Sequence, residues 1–479
     1  MAERKNKNIY RLLMLLTIII VSSFFFQACA KNKQEKIVIK VSPDIVINGD
    51  FYGFGAETLP WLWTKENKEA GVNEDDIKLN LRRIKEMRLP VTRIFVPWET
   101  WNPSADYKTF SWESDEMKSL YKTLDLYQET GAKVILVTVD WMKDSPWRNA
   151  SLSAKAVLGL LEHLVKEKGY SCIQFWTLTN EPELTYGWMR KVSFDNYIQI
   201  HLLVKKGLER KKLAVKIIAS DEVESREWFD SSVRSLNKIA DIFSSHLYVY
   251  PRQIKQIPGF FRERIENIKE ASGPNRHIPF FLCEFGFRGS DFSACTNNLT
   301  EDYKYGLYVA DLCVEALNSG VSAVSLWCLH RIRLIDEINP EGGKMMRIGL
   351  WAYKDENWRP FPVFYLYRLF TKYIKPESRV LKVNILFSAS LKAACVEHDN
   401  HYSLFVVNPT GKEERFLVEG IKPHKDFYKY LYNKPKSSPG KGTFFITEKQ
   451  IRFDDYLKDS IPPMSVILYT DLEDADDTF

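Results

Sequence analysis

The chain is 479 residues long, 45% hydrophobic and 14% aromatic, with 67 basic and 62 acidic residues for a net charge of +5. That length suits a barrel of about 250 residues or more together with a smaller module, so two domains are expected. The charge is spread along the chain and not gathered into a basic tract outside the N-terminus, which argues against nucleic acid as a partner.

At the amino end Arg4, Lys5, Lys7 and Arg11 precede an apolar stretch over 12–26, followed by Gln27-Ala28-Cys29. A charged segment ahead of a short apolar one is the layout of an export signal. It resembles a bacterial lipoprotein signal. The resemblance implies a signal peptide over 1–29 and a lipid on Cys29 that ties the exported protein to a membrane, as an outer-membrane lipoprotein facing the periplasm or the cell surface. A signal anchor retained in the bilayer is the alternative, although the run is short for a span of about 20 residues. Residues 30–36 read as a polar linker.

From there strand-like apolar runs alternate with helical periodicity. Strands are expected at 53–56, 91–96, 134–139, 173–179, 215–219, 242–245, 279–283 and 323–327, with helices such as 75–87, 114–130, 154–168, 194–208, 257–271 and 301–318 between them. Eight strands joined by helix-sized connections specify a closed (β/α)8 barrel, placed over 37–376. Past about residue 377 the pattern changes to short alternating strands at 380–387, 393–396, 402–408, 414–418, 443–446 and 465–470, with Pro409-Thr410-Gly411 and Pro439-Gly440 as turns. This reads as a C-terminal antiparallel β-sandwich over 377–479, and the strand-like segment 37–47 is open to pairing with it. Cys172, Cys283 and Cys328 fall in or beside core strands, where a thiol behaves as a small hydrophobe. Without CxxC or His-rich spacing, neither a metal site nor a cofactor is expected.

Two glutamates stand out. Glu181 closes Ile173-Gln174-Phe175-Trp176-Thr177-Leu178-Thr179-Asn180-Glu181-Pro182, and Glu284 closes Ile278-Pro279-Phe280-Phe281-Leu282-Cys283-Glu284. A carboxylate at the carboxyl end of a barrel strand is costly to desolvate, and that end is where barrel enzymes carry their chemistry. Each has a bland alternative: Asn180-Glu181-Pro182 also suits a helix start, and Glu284 with Arg93 also suits a buried ion pair. Glycoside hydrolysis needs one carboxyl to protonate the leaving oxygen and another to face the anomeric carbon.

With Asn-Glu-Pro after the fourth strand and a glutamate after the seventh, the chain resembles clan A of the glycoside hydrolases, families five, thirty and thirty-nine among them. The resemblance implies Glu181 as acid/base and Glu284 as nucleophile, in a retaining enzyme that cleaves β-glycosidic bonds of an oligosaccharide or polysaccharide. It implies that Asn180 holds the sugar 2-hydroxyl, that Arg93 bonds the nucleophile, that Tyr248 of His246-Leu247-Tyr248 touches it, and that Trp327 floors the first sugar subsite. Trp141 is a further substrate-binding candidate, and Met142 beside it stands where family five often carries a histidine.

Arg93 and Tyr248 are expected to keep Glu284 ionised, while an apolar setting near Trp176 keeps Glu181 protonated. Trp61, Trp63, Trp98, Trp101, Trp141, Trp147, Trp188 and Trp327 all follow barrel strands, and about half of them are expected to stack on sugar. Glu57, Asp140, Asp221 and Glu222 also end strands and are candidates either to bond sugar hydroxyls or to cap helices. Two rival readings stay open at this level: a non-catalytic glycan-binding lipoprotein on the same scaffold, and a transglycosylase using the same carboxylates.

Overall fold

The computed structural model describes residues 36–104, 106–140, 146–184, 192–335, 345–421, 425–434 and 446–473. The first strand, β1 (Ile37–Phe51), leads into eight parallel strands that close on themselves: β2 (Gly53–Glu57), β3 (Val91–Pro97), β4 (Lys133–Val139), β5 (Ile173–Thr177), β6 (Lys216–Val223), β7 (Ile242–Val249), β8 (Phe280–Phe287) and β9 (Ala323–Leu326). Closure is direct, since β9 pairs back onto β2 from Ala323 opposite Gly53 to Leu326 opposite Ala56.

The helices between them are α1 (Glu74–Met87), α2 (Asp115–Thr130), α3 (Ala150–Glu162), α4 (Phe194–Lys211), α5 (Arg226–Leu236), α6 (Ile257–Ser272), α7 (Tyr303–Ser319) and α8 (Pro362–Tyr373). Their starts are written in the sequence. Asn73 accepts the amides of Asp75 and Asp76 while Asp76 takes the Asn73 amide, and Ser114, Asn149, Ser193, Ser225 and Asp302 cap α2, α3, α4, α5 and α7 with their own side chains. Gly131 and Gly320 end α2 and α7 with φ of 74° and 85°, the left-handed turn that a Cβ disfavours.

Inside the barrel the lower layer is aromatic. Tyr52, Phe175 and Phe281 meet edge to face at centroid distances of 5.0 to 5.8 Å. Phe175 belongs to β5 and Phe281 to β8, so this contact sets those two strands facing each other across the barrel axis and seals the space beneath their upper ends.

After β9 come a two-stranded ladder, β10 (Ile332–Arg333) with β11 (Met345–Met346), then β12 (Ser378–Leu386), β13 (Lys392–His398), β14 (His401–Asn408), β15 (Glu414–Glu419), β16 (Lys425–Tyr432), β17 (Ile446–Phe453), β18 (Leu457–Ile461) and β19 (Ser465–Thr470). With β1 the last eight make one nine-stranded sheet in the order β17-β16-β19-β14-β13-β12-β1-β15-β18, antiparallel except where β1 runs parallel to β15. The strand-like segment 37–47, left open to pairing with the C-terminal module, is part of that module: Ile39 and Val41 enter its core beside Leu381, Leu404, Val418 and Ile467. The module packs on the barrel through Phe405 on Phe370 and Tyr432 on Tyr303, both stacked.

The structure extends several expected elements and adds others. The sixth and seventh barrel strands run on to Val249 and Phe287, and α5, α8, β10, β11, β16 and β18 were not singled out in the sequence. The strand expected over 443–446 meets β17 only at Ile446, and the rest of it, with the Pro439-Gly440 turn, lies outside the described residues. The six cysteines from Cys172 to Cys395 are all free, five of them buried.

Candidate active site

Arg93 occupies the middle of β3, where every residue is buried, and its guanidinium is the centre of the barrel mouth. Nη1 donates to Glu57 Oε2 at 2.8 Å and to Glu284 Oε2 at 2.9 Å, and Nη2 donates to Asp221 Oδ2 at 2.7 Å and Asn180 Oδ1 at 2.8 Å. Arg93 also lies over the Phe95 ring, which in turn packs against Trp327 at 5.6 Å.

Glu284 projects from within β8, opposite His246 of β7. Its Oε1 accepts the Tyr248 hydroxyl and its Oε2 accepts Arg93, so the carboxylate plane is fixed from two sides. Glu181 follows β5 in a left-handed turn, φ +45°, and its amide donates to the Asp221 carbonyl at 3.1 Å. Its Oε1 meets His246 Nδ1 at 3.0 Å, and the same nitrogen is 3.9 Å from Glu284 Oε2. One carboxylate oxygen of Glu181 and one of Glu284 come within 4.8 Å of each other, with the imidazole beside both.

Glu181 and Glu284 keep 7% and 4% exposure, whereas Glu57, Arg93, Asp221 and His246 keep none. Only the first two can meet a ligand. Glu57 and Asp221, expected as sugar-bonding or capping residues, instead serve Arg93 from behind, and Glu222 is turned away onto Arg264, Ser245 and the Ser225 amide. Asp140 ends β4 at the rim, buried. Glu183, not singled out in the sequence, is half-buried beside the site, accepts the Val223 amide at 2.6 Å, and is pushed up to about 8 by burial.

One guanidinium cannot neutralise three buried carboxylates. Burial, against the pull of Arg93, pushes Glu57 up to about 8, so this carboxyl is the neutral one at pH 7. Burial also works on Asp221, but Arg93 and His246 outweigh it and hold that carboxylate well below its ordinary range. For His246 burial favours the neutral ring, yet Glu284 and Asp221 prevail and raise it well above its usual value. The result is two cations, Arg93 and His246, set against the Asp221 carboxylate and the Glu284 carboxyl group. Burial is the largest influence on Glu284 and pushes it upward, with His246 and Arg93 acting to lower it and Glu181 to raise it. The contacts expected for Glu284 are present, but they do not hold it low.

The apolar setting expected for Glu181 is absent: its partner is the His246 ring, and the Trp176 indole bonds Thr138 instead, at 3.2 Å. Of the eight rim tryptophans, Trp61, Trp98, Trp101 and Trp147 are packing residues. Trp98 lies against Trp101 at 4.4 Å and Trp147 at 5.1 Å, enclosed on all sides, so these four offer no face to a sugar. Trp63 is partly buried near Lys122, and Trp327 lies at the mouth, its amide bonded to the Phe285 carbonyl and its peptide to Cys328 cis. Trp141, Met142 and Trp188 lie outside the described residues, as does Cys29.

Glu181, His246 and Glu284 are the one group among the described residues whose spacing would suit a metal ion. That spacing is already bridged by the ring-to-carboxylate contacts and flanked by the Arg93 cation, which repels a second positive charge, so the donor set suits an acid/base pair and not a metal.

No family model matches this sequence, and no curated protein matches it. Solved structures do. A GH30 endoxylanase from Clostridium papyrosolvens aligns over 91% of this chain and 99% of its own at 11% identity, TM-score 0.63. The catalytic domain of GH30 xylanase C from Talaromyces cellulolyticus aligns over 90% and 99% at 11% identity, TM-score 0.65. An alpha-L-arabinofuranosidase from Thermotoga maritima, in complex with arabinose, aligns over 91% and 99% at 15% identity, TM-score 0.64. Identities this low carry architecture alone, and in architecture, over about nine tenths of its length, the chain shares the barrel and β module of these structures.

Proposed function

We propose that the protein is a retaining glycoside hydrolase that cleaves β-glycosidic bonds of an oligosaccharide or polysaccharide by double displacement, with Glu284 as nucleophile and Glu181 as acid/base. The observation that carries this reading is the approach of one oxygen of each carboxylate to within 4.8 Å across the barrel mouth, which agrees with the carboxyl separation of about 5 to 5.5 Å that places a nucleophile directly on the anomeric carbon and not with the about 6.5 Å or more that leaves room for an intervening water. Glu284 attacks the anomeric carbon as Glu181 protonates the departing oxygen. Glu181 then takes a proton from water, whose oxygen displaces Glu284 with a second inversion and restores both residues. Arg93 and Tyr248 orient the attacking carboxylate, and Trp327 offers an apolar surface to the sugar ring.

The reading extends to location: the sequence over 1–29 supports export and a lipid on Cys29. Among the described residues no helix is long and apolar enough to cross a membrane.

The test is a panel of aryl β-glycosides and aryl α-L-arabinofuranosides, followed by a 2-deoxy-2-fluoro analogue of whichever sugar is released. Mass spectrometry of the inactivated protein should place one fluorosugar on Glu284. An adduct elsewhere, or inversion of the released sugar, would overturn the assignment.

A further inference from the structure

We propose that Asp221 is the positioning residue that ties the two glutamates into one unit, acting on the acid/base through His246 and its own main chain, and on the nucleophile through Arg93. This rests on the glycosidase reading for its chemistry but on geometry for its existence. Asp221 is the extra residue of a bulge: β6 and β7 pair Ser220 with Ser244 and then Glu222 with Ser245, leaving Asp221 between. Ser220 and Asp221 are both left-handed, φ 79° and 53°, a backbone state that side chains other than glycine adopt rarely and that aims Asp221 into the barrel. There it is enclosed, out of reach of any sugar.

Its oxygens are divided among the machinery. Oδ2 accepts Arg93 Nη2 at 2.7 Å, the group whose other arm holds Glu284, and Oδ1 accepts Ser244 Oγ at 3.0 Å and lies 3.3 Å from His246 Nε2. Its carbonyl accepts the Glu181 amide. With Nε2–H directed at Asp221, the opposite ring nitrogen is the one presented to Glu181 and Glu284, so the ring cannot turn away from either without abandoning a buried carboxylate.

His246 is faced by Glu181 beyond β5, Asp221 and Glu222 on β6, Tyr248 on its own strand, Glu284 on β8, and the cation Arg93 on β3 at 3.4 Å, with Glu57 on β2 behind Arg93. Asp221→Asn keeps the shape and removes one charge from that set.

The chain has eight histidines, and the 15N signals of His246 are those lost in His246→Gln. In the wild-type protein both ring nitrogens of His246 should carry protons at pH 7, and in Asp221→Asn the titration should fall by about one pH unit or more. In the same variant kcat should drop by about 100-fold with KM changed far less, as expected when an alignment and not a substrate contact is lost. An unmoved His246 titration in folded Asp221→Asn overturns the proposal, and so does a moved titration with wild-type kcat. Should that variant not fold, Ser244→Ala serves: it frees Oδ1 for His246 alone and should move the titration up, and no shift or a downward one overturns the link. A wild-type protein that cleaves no glycoside would sink the glycosidase reading, while the titration alone would still decide whether Asp221 governs His246.

Discussion

Glu57→Gln isolates the one carboxyl that Arg93 leaves neutral. Arg93 is shared among Glu57, Asp221 and Glu284 at 2.8, 2.7 and 2.9 Å, and burial raises Glu57 from its ordinary 4.5 to about 8. The folded protein therefore holds a proton there that the unfolded chain releases above 4.5. Below 4.5 both states are protonated and the contribution is complete; as pH rises toward about 8 it is lost. The slope for one proton is about 1.4 kcal/mol per pH unit, so between about pH 5.5 and 7.5 the wild-type protein loses about 2.7 kcal/mol through this residue. Glutamine imitates the neutral carboxyl and does not titrate, so the variant should gain about the same 2.7 kcal/mol relative to wild type over that interval. All thirteen tryptophans lie between residues 61 and 358, so tryptophan fluorescence during urea unfolding follows the barrel that holds Glu57 and not the β module. A stability difference between the two proteins that is the same at both pH values would show Glu57 ionised in the folded state and refute this division of charge.

Glu284→Gln should abolish turnover with the protein still folded, as an unchanged circular dichroism spectrum would show; full activity would remove the nucleophile assignment. Tyr248→Phe takes away a hydrogen bond that favours the Glu284 carboxylate, so the acid limb of the kcat/KM profile should move to higher pH. Since a hydrogen bond to a charged group contributes about 1.5–3 kcal/mol, kcat/KM should fall by about 10- to 100-fold, and an unmoved acid limb would count against Tyr248 acting on Glu284. Trp98→Ala empties a site enclosed by Trp101 and Trp147 and should destabilise the barrel by about 3–5 kcal/mol in the same urea assay; weakened sugar affinity at full stability would show instead that the ring meets ligand. Cys29→Ser should abolish incorporation of labelled palmitate and release the protein from the membrane fraction, whereas retention without label would favour a signal anchor.

How much of this was legible in the chain follows from how a barrel strand changes character along its length. The lower parts of the strands are largely apolar, with Phe175 of β5 and Phe281 of β8 closing on Tyr52 beneath the site, which is why all eight strands were visible. The upper part faces the site, and there the run is interrupted by the residues that do chemistry. Strand β6 was expected to stop at Ala219 but continues through Ser220, Asp221 and Glu222; β7 was expected to stop at Ser245 but carries His246 and Tyr248; β8 was expected to stop at Cys283 but carries Glu284 inside it. A pattern criterion built on hydrophobic runs therefore truncates these three strands on their functional side, whereas β5 and β9, expected over 173–179 and 323–327, stop at Thr177 and Leu326.

The residues misplaced by it, Glu57 and Asp221, are strand-end acids whose local sequence is equally that of a helix cap or a sugar ligand. Their actual partner, Arg93, is 36 residues away in the first case and 128 in the second. Nothing local distinguishes a carboxylate that meets solvent from one that meets a buried guanidinium; only closure of the barrel does. Which of the tryptophans meet sugar was illegible for the converse reason: an aromatic after a strand is equally suited to a rim and to the packing beneath it, and Trp98, Trp101 and Trp147 pack on one another. The catalytic candidates themselves were legible because Asn180-Glu181-Pro182 and Glu284 each directly follow an apolar run in the sequence. The second layer that sets their charge was not, because it exists only as contacts between strands.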